Sequence, residues 1–167
     1  LYRAAMMPFI KTTAGAIAIG MAQTMLAEFK AQLPGRPIAY TTYAARSEAP
    51  VTHLTLGEVA VKIHTAELVY RSAAAAIERA VERDEPLPIP LRIEVQAQVG
   101  YGMRLCVEAA ALLVGASGGR VLQQSNPLQR IERNLRALIQ HPAFTPQSYF
   151  EMYGRVQLGL PPNTPFP

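Results

Sequence analysis

The sequence predicts an all-α fold: an up-and-down four-helix bundle with an extra C-terminal segment. Apolar residues recur at spacings of three and four in four separate segments, the pattern of helices that bury one face. Stretches rich in proline and glycine separate these segments. No segment shows the sustained apolar–polar alternation of a strand, so we expect no sheet.

The first helix is expected over about Arg3–Gln32, and Leu33-Pro34-Gly35 ends it. Pro8 is tolerable because it lies near the helix start. The predicted buried stripe contains Ile10, Ala14, Ile17, Met21, Met25 and Phe29. The next segment, Arg36–Pro50, is long for a connection between helices, which suggests a functional role.

The second helix has the clearest pattern. Thr55 and Glu58 have the spacing of a capping box, although the helix could begin one turn earlier, at Thr52. Asp84–Pro90 contains three prolines and ends the helix. The predicted bundle seam contains Leu56, Val59, Ile63, Ala66, Tyr70, Ala73, Ile77 and Ala80.

The third helix is expected over about Leu91–Val114, and small residues on its seam should allow close helix approach. That seam contains Val95, Val99, Gly102, Cys106, Ala109 and Leu113. The fourth helix is Pro127–Gln140, with Asn126 as N-cap and Gln129 placed to complete a capping box. Its buried stripe is Leu128, Ile131, Leu135 and Leu138. A short helix over Pro146–Gly154 and a proline-rich tail follow.

Composition narrows the classes of function. The chain has a net charge of +4 and a pI of about 9.5, but its arginines do not alternate with aromatics as in a nucleic-acid platform. The apolar runs are too short to span a bilayer, and no signal peptide is visible. The single Cys106 excludes an internal disulfide, suits a reducing cytoplasm and is expected in the core. His53 and His64 lack partners at metal-ligand spacing, so no metal site is expected.

The segment Gly115–His141 contains the candidate functional residues. Gly118 and Gly119 permit positive φ and close approach of a ligand, and Ser117 adds a hydroxyl beside exposed amides. The next helix has a polar stripe formed by Arg130, Asn134, Ala137 and His141, with Arg133 beside it. Taken alone, these residues have structural alternatives: a helix-stop turn, salt bridges between helices and a capping histidine.

This segment resembles the flavin-site signature of the acyl-CoA dehydrogenase superfamily. That signature runs Gln-x-x-Gly-Gly-x-Gly-Tyr, four residues, and then Pro-x-x-Arg-x-x-Arg-Asp. The matching residues are Gly118, Gly119, Pro127, Arg130 and Arg133. The departures are Gly115 for the glutamine, Val121 and Leu122 for Gly-Tyr, and Asn134 for the aspartate. The helical pattern fits the C-terminal α-bundle of this superfamily over essentially the whole chain.

The residues after this helix indicate a branch of the superfamily. In dehydrogenases of the short- and medium-chain type, Tyr-Glu-Gly follows, and its glutamate removes the α-proton of the substrate. Here residues 140–144 read Gln-His-Pro-Ala-Phe, without a carboxylate. The segment is more similar to the flavin-dependent monooxygenases, in which a histidine at this helix end faces the flavin and the substrate. The resemblance implies this catalytic role for His141, and a histidine suits general acid–base work near neutral pH.

The resemblance also implies a cofactor and partners. The cofactor would be reduced FMN or FAD, bound through Ser117, Gly118, Gly119, Arg130 and Arg133. A separate NAD(P)H:flavin reductase would supply it, and the substrate would be a small organic molecule that is hydroxylated or oxidised. The family places this domain at the centre of a tetramer, so we expect a homo-oligomer, with neither a nucleic acid nor a membrane as partner.

Residues 1–167 are expected to form one helical-bundle domain and to be a fragment, because an N-terminal helical domain and a middle β-domain precede this bundle in the family. Two alternatives stay open: an acyl-CoA dehydrogenase whose base lies elsewhere, and a non-catalytic helical oligomerisation module. In the long loop, Arg36, Tyr43 and Arg46 are further candidates for contact with the flavin tail of a neighbouring subunit, since the family uses this region in that way.

Overall fold

The computed structural model describes residues 4–167, and within them the chain is all-α, as predicted, with no strand. The helices are α1 (Met6–Ala31), α2 (Pro50–Glu82), α3 (Ile89–Ser117), α4 (Pro127–Gln140) and α5 (Pro146–Gln157). Short 3₁₀ turns occupy Arg46–Glu48 and Gly119–Leu122. The expected helix start at Arg3 lies outside the described residues.

Helix α3 is the centre of the bundle, because α1, α2, α4 and α5 all pack against it. All six residues of its predicted seam are buried. Among the described helices, α3 is the one long and apolar enough to cross a bilayer by length and composition, with a mean hydropathy of 1.4 over 18 residues. Half of that stretch is buried inside the bundle, as is typical of a central core helix.

The side chain of Tyr70 joins the three longest helices. A Cβ added at Gly15 on α1 would lie 1.7 Å from its ring, and one added at Gly102 on α3 would lie 2.9 Å from it. The ring therefore occupies space that only glycine leaves free on both sides. Its hydroxyl donates a hydrogen bond to the carbonyl of Val99 at 3.0 Å, and burial raises the pKa of Tyr70.

The predicted stripe of α1 is wrong in part. Ile10 and Ile17 are exposed, whereas Ala18 and Ala22 face the core together with Lys11. Small residues on this face allow α1 to approach α2 and α3 closely, so the larger isoleucines point outwards. The predicted seam of α2 is confirmed: six of its eight residues are buried, and Leu56 and Ala80 are half-buried.

Two predicted helix ends are also wrong. Helix α2 begins at Pro50, before both predicted starts, because Pro50 fits the first helical turn. Thr55 therefore lies inside the helix, and its hydroxyl donates to the carbonyl of Val51 at 2.9 Å instead of forming a cap. Helix α3 continues through Gly115 to Ser117.

The bounds of α4 are as predicted. The Asn126 side chain accepts a hydrogen bond from the amide of Leu128 at 3.0 Å, so the N-cap is confirmed. The expected capping box does not form, since the Gln129 amide group donates to the carbonyl of Gln124 at 3.3 Å. Helix α5 extends one turn beyond its expected end, to Gln157.

Candidate functional site

The turn after α3 requires glycine at one of the two predicted positions. Gly118 has φ 72° and ψ 179°, a conformation that is essentially restricted to glycine and costs a residue with a side chain about 1–3 kcal/mol. A Cβ at this position would also lie 2.9 Å from Nη2 of Arg46. Gly119 begins a 3₁₀ turn and does not have positive φ, so of the two glycines only Gly118 uses the conformational freedom that glycine allows.

Arg46, from the long loop, caps the C-terminal end of α3. Its Nη1 donates to the carbonyl of Ser117 at 2.8 Å and to that of Ala116 at 3.4 Å. A cation at this end of a helix offsets both the unpaired carbonyls and the helix dipole. The amide of Arg46 donates to the carbonyl of Arg36 at 2.7 Å, which closes the loop on itself beside the turn.

These residues line a cavity of about 360 Å³, which we call the arginine pocket. Its lining residues are Gly35, Arg36, Pro37, Arg46, Ser117, Gly119 and Arg120. It contains three guanidinium groups and no carboxylate, so its wall is suited to an anion. Arginine is the side chain best shaped to hold phosphate through paired hydrogen bonds.

The hydroxyl of Ser117 is not a free donor. It is buried and donates to the carbonyl of Leu113 at 2.6 Å, inside α3. Its oxygen can still accept a hydrogen bond, but an anion in the arginine pocket would need a donor. The backbone and the arginines are therefore better placed than this hydroxyl to contact a phosphate.

Arg130 and Arg133 lie apart from the arginine pocket. Both are exposed on α4, and neither has an ion-pair or hydrogen-bond partner within residues 4–167. The alternative of salt bridges between helices is therefore not realised in this part of the chain. Buried Leu128 and Leu135 hold the opposite face of α4 against the bundle, so the two arginines present their charge outwards.

His141 ends α4 and is exposed. Its backbone amide donates to the carbonyl of Leu138 at 3.2 Å, and its Nδ1 accepts from the amide of Ala143 at 3.1 Å. Its ring lies 5.3 Å from that of Phe144, at a tilt of 38°. Because Nδ1 accepts, the neutral imidazole carries its proton on Nε2, and this nitrogen is free to face a ligand.

A buried polar cluster beside this turn was missed from the sequence. Lys11 of α1 is only 1% exposed, and its Nζ donates to Oε1 of Gln96 at 2.5 Å. The same nitrogen lies 2.9 Å from the centre of the Tyr149 ring. Burial lowers the pKa of Lys11 from 10.5 to about 7. The available signal was the spacing of Lys11 with Ala14, Ala18 and Ala22, which places a lysine on the core face.

Cys106 and Lys62 have structural roles. Cys106 is buried, and burial raises its pKa to about 12, so it is a core residue and not a nucleophile. A hydrogen bond from Lys62 to Glu108 at 2.8 Å links α2 to α3 and raises the pKa of Lys62. In the described part of the chain, no group of histidine, cysteine and acidic residues could hold a metal ion.

Comparison with known proteins places this geometry in context. The family described as acyl-CoA dehydrogenase, C-terminal domain, matches residues 12–146. XiaF from Streptomyces sp., solved in complex with FADH2 and glycerol, has a TM-score of 0.95 and 27% identity, over 100% of this chain and 42% of that chain. No curated protein sequence matches the chain.

Two further solved structures share the fold at lower identity. The 3-HSA hydroxylase from Rhodococcus sp. RHA1 has a TM-score of 0.83 and 22% identity, over 95% of this chain and 41% of that chain. The HsaA monooxygenase from M. tuberculosis has a TM-score of 0.77 and 22% identity, over 95% and 40%. The present chain thus spans about two-fifths of the length of each of these three proteins.

Proposed function

We propose that this chain is the C-terminal domain of a flavin-dependent monooxygenase. The chain belongs to the acyl-CoA dehydrogenase family through its C-terminal helical domain. The parent protein would be an oxygenase component that uses reduced flavin and O2 to hydroxylate or oxidise a small organic substrate. The observation behind this proposal is the similarity along the whole chain to XiaF, a protein that was solved with FADH2.

The arginine pocket fits the phosphate end of such a cofactor. The guanidinium groups of Arg36 and Arg120 have no hydrogen-bond or ion-pair partner within residues 4–167, and both residues line the pocket. Arg46 is held by the carbonyls of α3 and so supplies a fixed positive charge. We propose that these three residues, with the backbone at Gly118 and Gly119, hold the phosphate of reduced FAD or FMN. When bound, the reduced flavin would supply the electrons that activate O2.

His141 would act at the reacting centre as a hydrogen-bond donor. Its Nε2 is free while its Nδ1 is held by the Ala143 amide, so the ring is oriented and has one nitrogen available. In this neutral tautomer the Nε2–H group can donate a hydrogen bond at a defined position. It cannot act as a proton donor, because that would require the imidazolium, whose Nδ1 does not accept from Ala143. Arg130 and Arg133 are exposed on the same helix. They would contribute positive charge towards a flavin held by a domain or subunit that covers α4.

Residues 140–144 argue against the dehydrogenase reaction. An α-proton must be removed from an acyl-CoA by a base, and this stretch contains no carboxylate. The two reactions differ in a simple measurement on the intact natural protein. A dehydrogenase bleaches its flavin when acyl-CoA is added without oxygen, whereas the proposed oxygenase requires NAD(P)H and a reductase.

The role of His141 is tested by His141→Ala in the intact protein, with a reductase and NADH supplying the flavin. We expect product formation to fall by roughly 10²–10³-fold, the usual effect of removing a hydrogen-bond donor at a reacting centre, and hydrogen peroxide to be released instead. His64→Ala is the matched control, since His64 is an exposed histidine on α2. If His141→Ala keeps wild-type product yield and only the melting temperature falls, His141 is a structural cap.

Exposed apolar residues support a homo-oligomer. Leu54, Val61 and Leu68 recur every seven residues on α2, and their exposed fractions are 74%, 66% and 54%. Ile10 and Ile17 are exposed with the same spacing on α1. Such stripes are typical of surfaces that pack against another helix. We propose a tetramer, and a strict monomer in sedimentation equilibrium at micromolar concentration would contradict it.

A further inference from the structure

The polar cluster around Lys11 is unusual for a helical core. Lys11 and Gln96 are each 1% exposed, and Nε2 of Gln96 has no hydrogen-bond partner among the described residues. Burying an amine and an unpaired amide group costs free energy that a pair of aliphatic side chains would not. A cluster that weakens the core in this way indicates a local requirement other than packing.

The contacts of the cluster lead to the turn after α4. Nζ of Lys11 lies over the Tyr149 ring, 2.9 Å from its centre. The Tyr149 hydroxyl donates to the carbonyl of Ala143 at 2.7 Å. The amide of the same residue, Ala143, donates to Nδ1 of His141 at 3.1 Å. Three consecutive contacts thus join α1 to the imidazole at the end of α4.

Each of these contacts restrains the position of the next group in the series. Lys11 has enough N–H groups to donate to Gln96 and to face the aromatic ring in either protonation state. The ring position determines where the Tyr149 hydroxyl lies, and that hydroxyl is the side-chain contact to the Ala143 carbonyl. The Ala143 carbonyl and amide belong to two adjacent peptide groups that meet at its Cα. Without the hydroxyl contact, the backbone angles of Ala143 would be less restrained, and the amide that donates to Nδ1 of His141 and selects its tautomer would be held less firmly.

We infer that Lys11 is a positioning residue, which acts through Tyr149 and the backbone of Ala143 to hold His141 in its Nε2–H form. The inference rests on the proposed function, because the tautomer matters for the reaction only if His141 faces the flavin. It adds to that proposal two residues, Lys11 and Tyr149, that lie outside the family signature. Neither would touch the flavin or the substrate.

The test is histidine ¹⁵N NMR of the chain at pH 8, which reads the tautomer of His141 without flavin. Tyr149→Phe removes only the hydroxyl, and Lys11→Met removes the amine at similar length. Both variants should shift the Nδ1 and Nε2 signals of His141 towards a mixture of tautomers. The double variant should shift them no further than Tyr149→Phe alone, because the two residues act in series.

Two matched controls separate this effect from general loosening of the fold. Tyr153→Phe removes a hydroxyl one turn further along α5, and Lys30→Met removes an exposed amine from α1. Neither control should move the His141 signals. Unchanged signals in both test variants, with the helical circular dichroism intact, would overturn the inference. So would equal shifts in the test variants and the controls.

The same variants in the intact protein distinguish this inference from the proposed function. If both proposals hold, Tyr149→Phe and Lys11→Met lower the ratio of product to hydrogen peroxide in the direction of His141→Ala. If the tautomer shifts but this ratio does not change, the connection from Lys11 to His141 stands and the catalytic role of His141 is wrong.

Discussion

The buried amine of Lys11 should make the stability of this protein depend on pH in an unusual direction. The folded chain has a lowered Lys11 pKa of about 7, against 10.5 when the side chain is free. Between these values the unfolded chain holds a proton that the folded chain does not. Stability therefore rises with pH in this interval, and the penalty of burying the charge is fully present below pH 7.

The size of the effect follows from the two pKa values. Raising the pH from 6 to 8.5 should stabilise the wild type by about 2 kcal/mol relative to Lys11→Met, which has no titrating group at this position. The unfolded Cys106 thiol ionises in part at pH 8.5, but it does so equally in the wild type and in Lys11→Met. The comparison therefore isolates Lys11.

Urea denaturation followed by circular dichroism at pH 6, 7 and 8.5 measures this difference. Lys30→Met serves as the control, because Lys30 is exposed on the same helix and its loss should leave the pH dependence unchanged. A difference between wild type and Lys11→Met that stays constant over the three pH values would refute the reasoning. It would mean that Lys11 keeps an ordinary pKa in the folded protein.

Two further predictions concern glycines. Gly118→Ala should destabilise the fold by about 1–3 kcal/mol, because of its backbone conformation and the nearby Arg46. Gly119→Ala should change stability by less than about 0.5 kcal/mol, and equal effects in urea denaturation would contradict this. Gly15→Ala should lower the stability of the fold by about 1–3 kcal/mol through overpacking. Gly20→Ala, in open space on the same helix, should raise it by about 0.5–1 kcal/mol. A higher melting temperature for Gly15→Ala than for Gly20→Ala would show that the core can expand around Gly15.

Much of the helical architecture could be predicted because the relevant signals are local. The start of α4 depends on Asn126 and Pro127, which are adjacent in sequence, and its predicted bounds are confirmed. The seam of α2 is apolar at regular spacing, so the sequence predicts a single buried face for this helix. Such patterns report the period of a helix directly.

The buried face of α1 could not be chosen in this way. Both Ile10 and Ile17 and the neighbouring alanines have helical spacing, and hydrophobicity favours the isoleucines. The choice is made by Tyr70 on another helix, which requires the small residues around Gly15 to face the core. The buried face of α1 is thus determined by a contact between residues far apart in sequence. Lys11 was missed for the same reason, because it lies on that face.

The candidate site shows the same division. Gly118 and His141 were identified from local spacing and from the family resemblance. The arginine pocket depends on Arg46 reaching the carbonyls of α3, about seventy residues away in sequence. Arg120 lies within the segment that drew attention to the site, but nothing in its spacing distinguished it from an ordinary surface arginine. Whether the predicted binding residues contact a flavin stays a prediction.

The central claim is that the protein containing this chain uses reduced flavin supplied from outside. The most direct test is to measure the Kd of the intact natural protein for FADH2, without oxygen, and for oxidised FAD. We expect FADH2 to bind at least about tenfold more tightly, a difference of about 1.4 kcal/mol, and acyl-CoA to leave the flavin spectrum unchanged. Tight binding of oxidised FAD that acyl-CoA bleaches would contradict the account and identify a dehydrogenase, and no binding of FAD or FMN, reduced or oxidised, would identify a non-catalytic module.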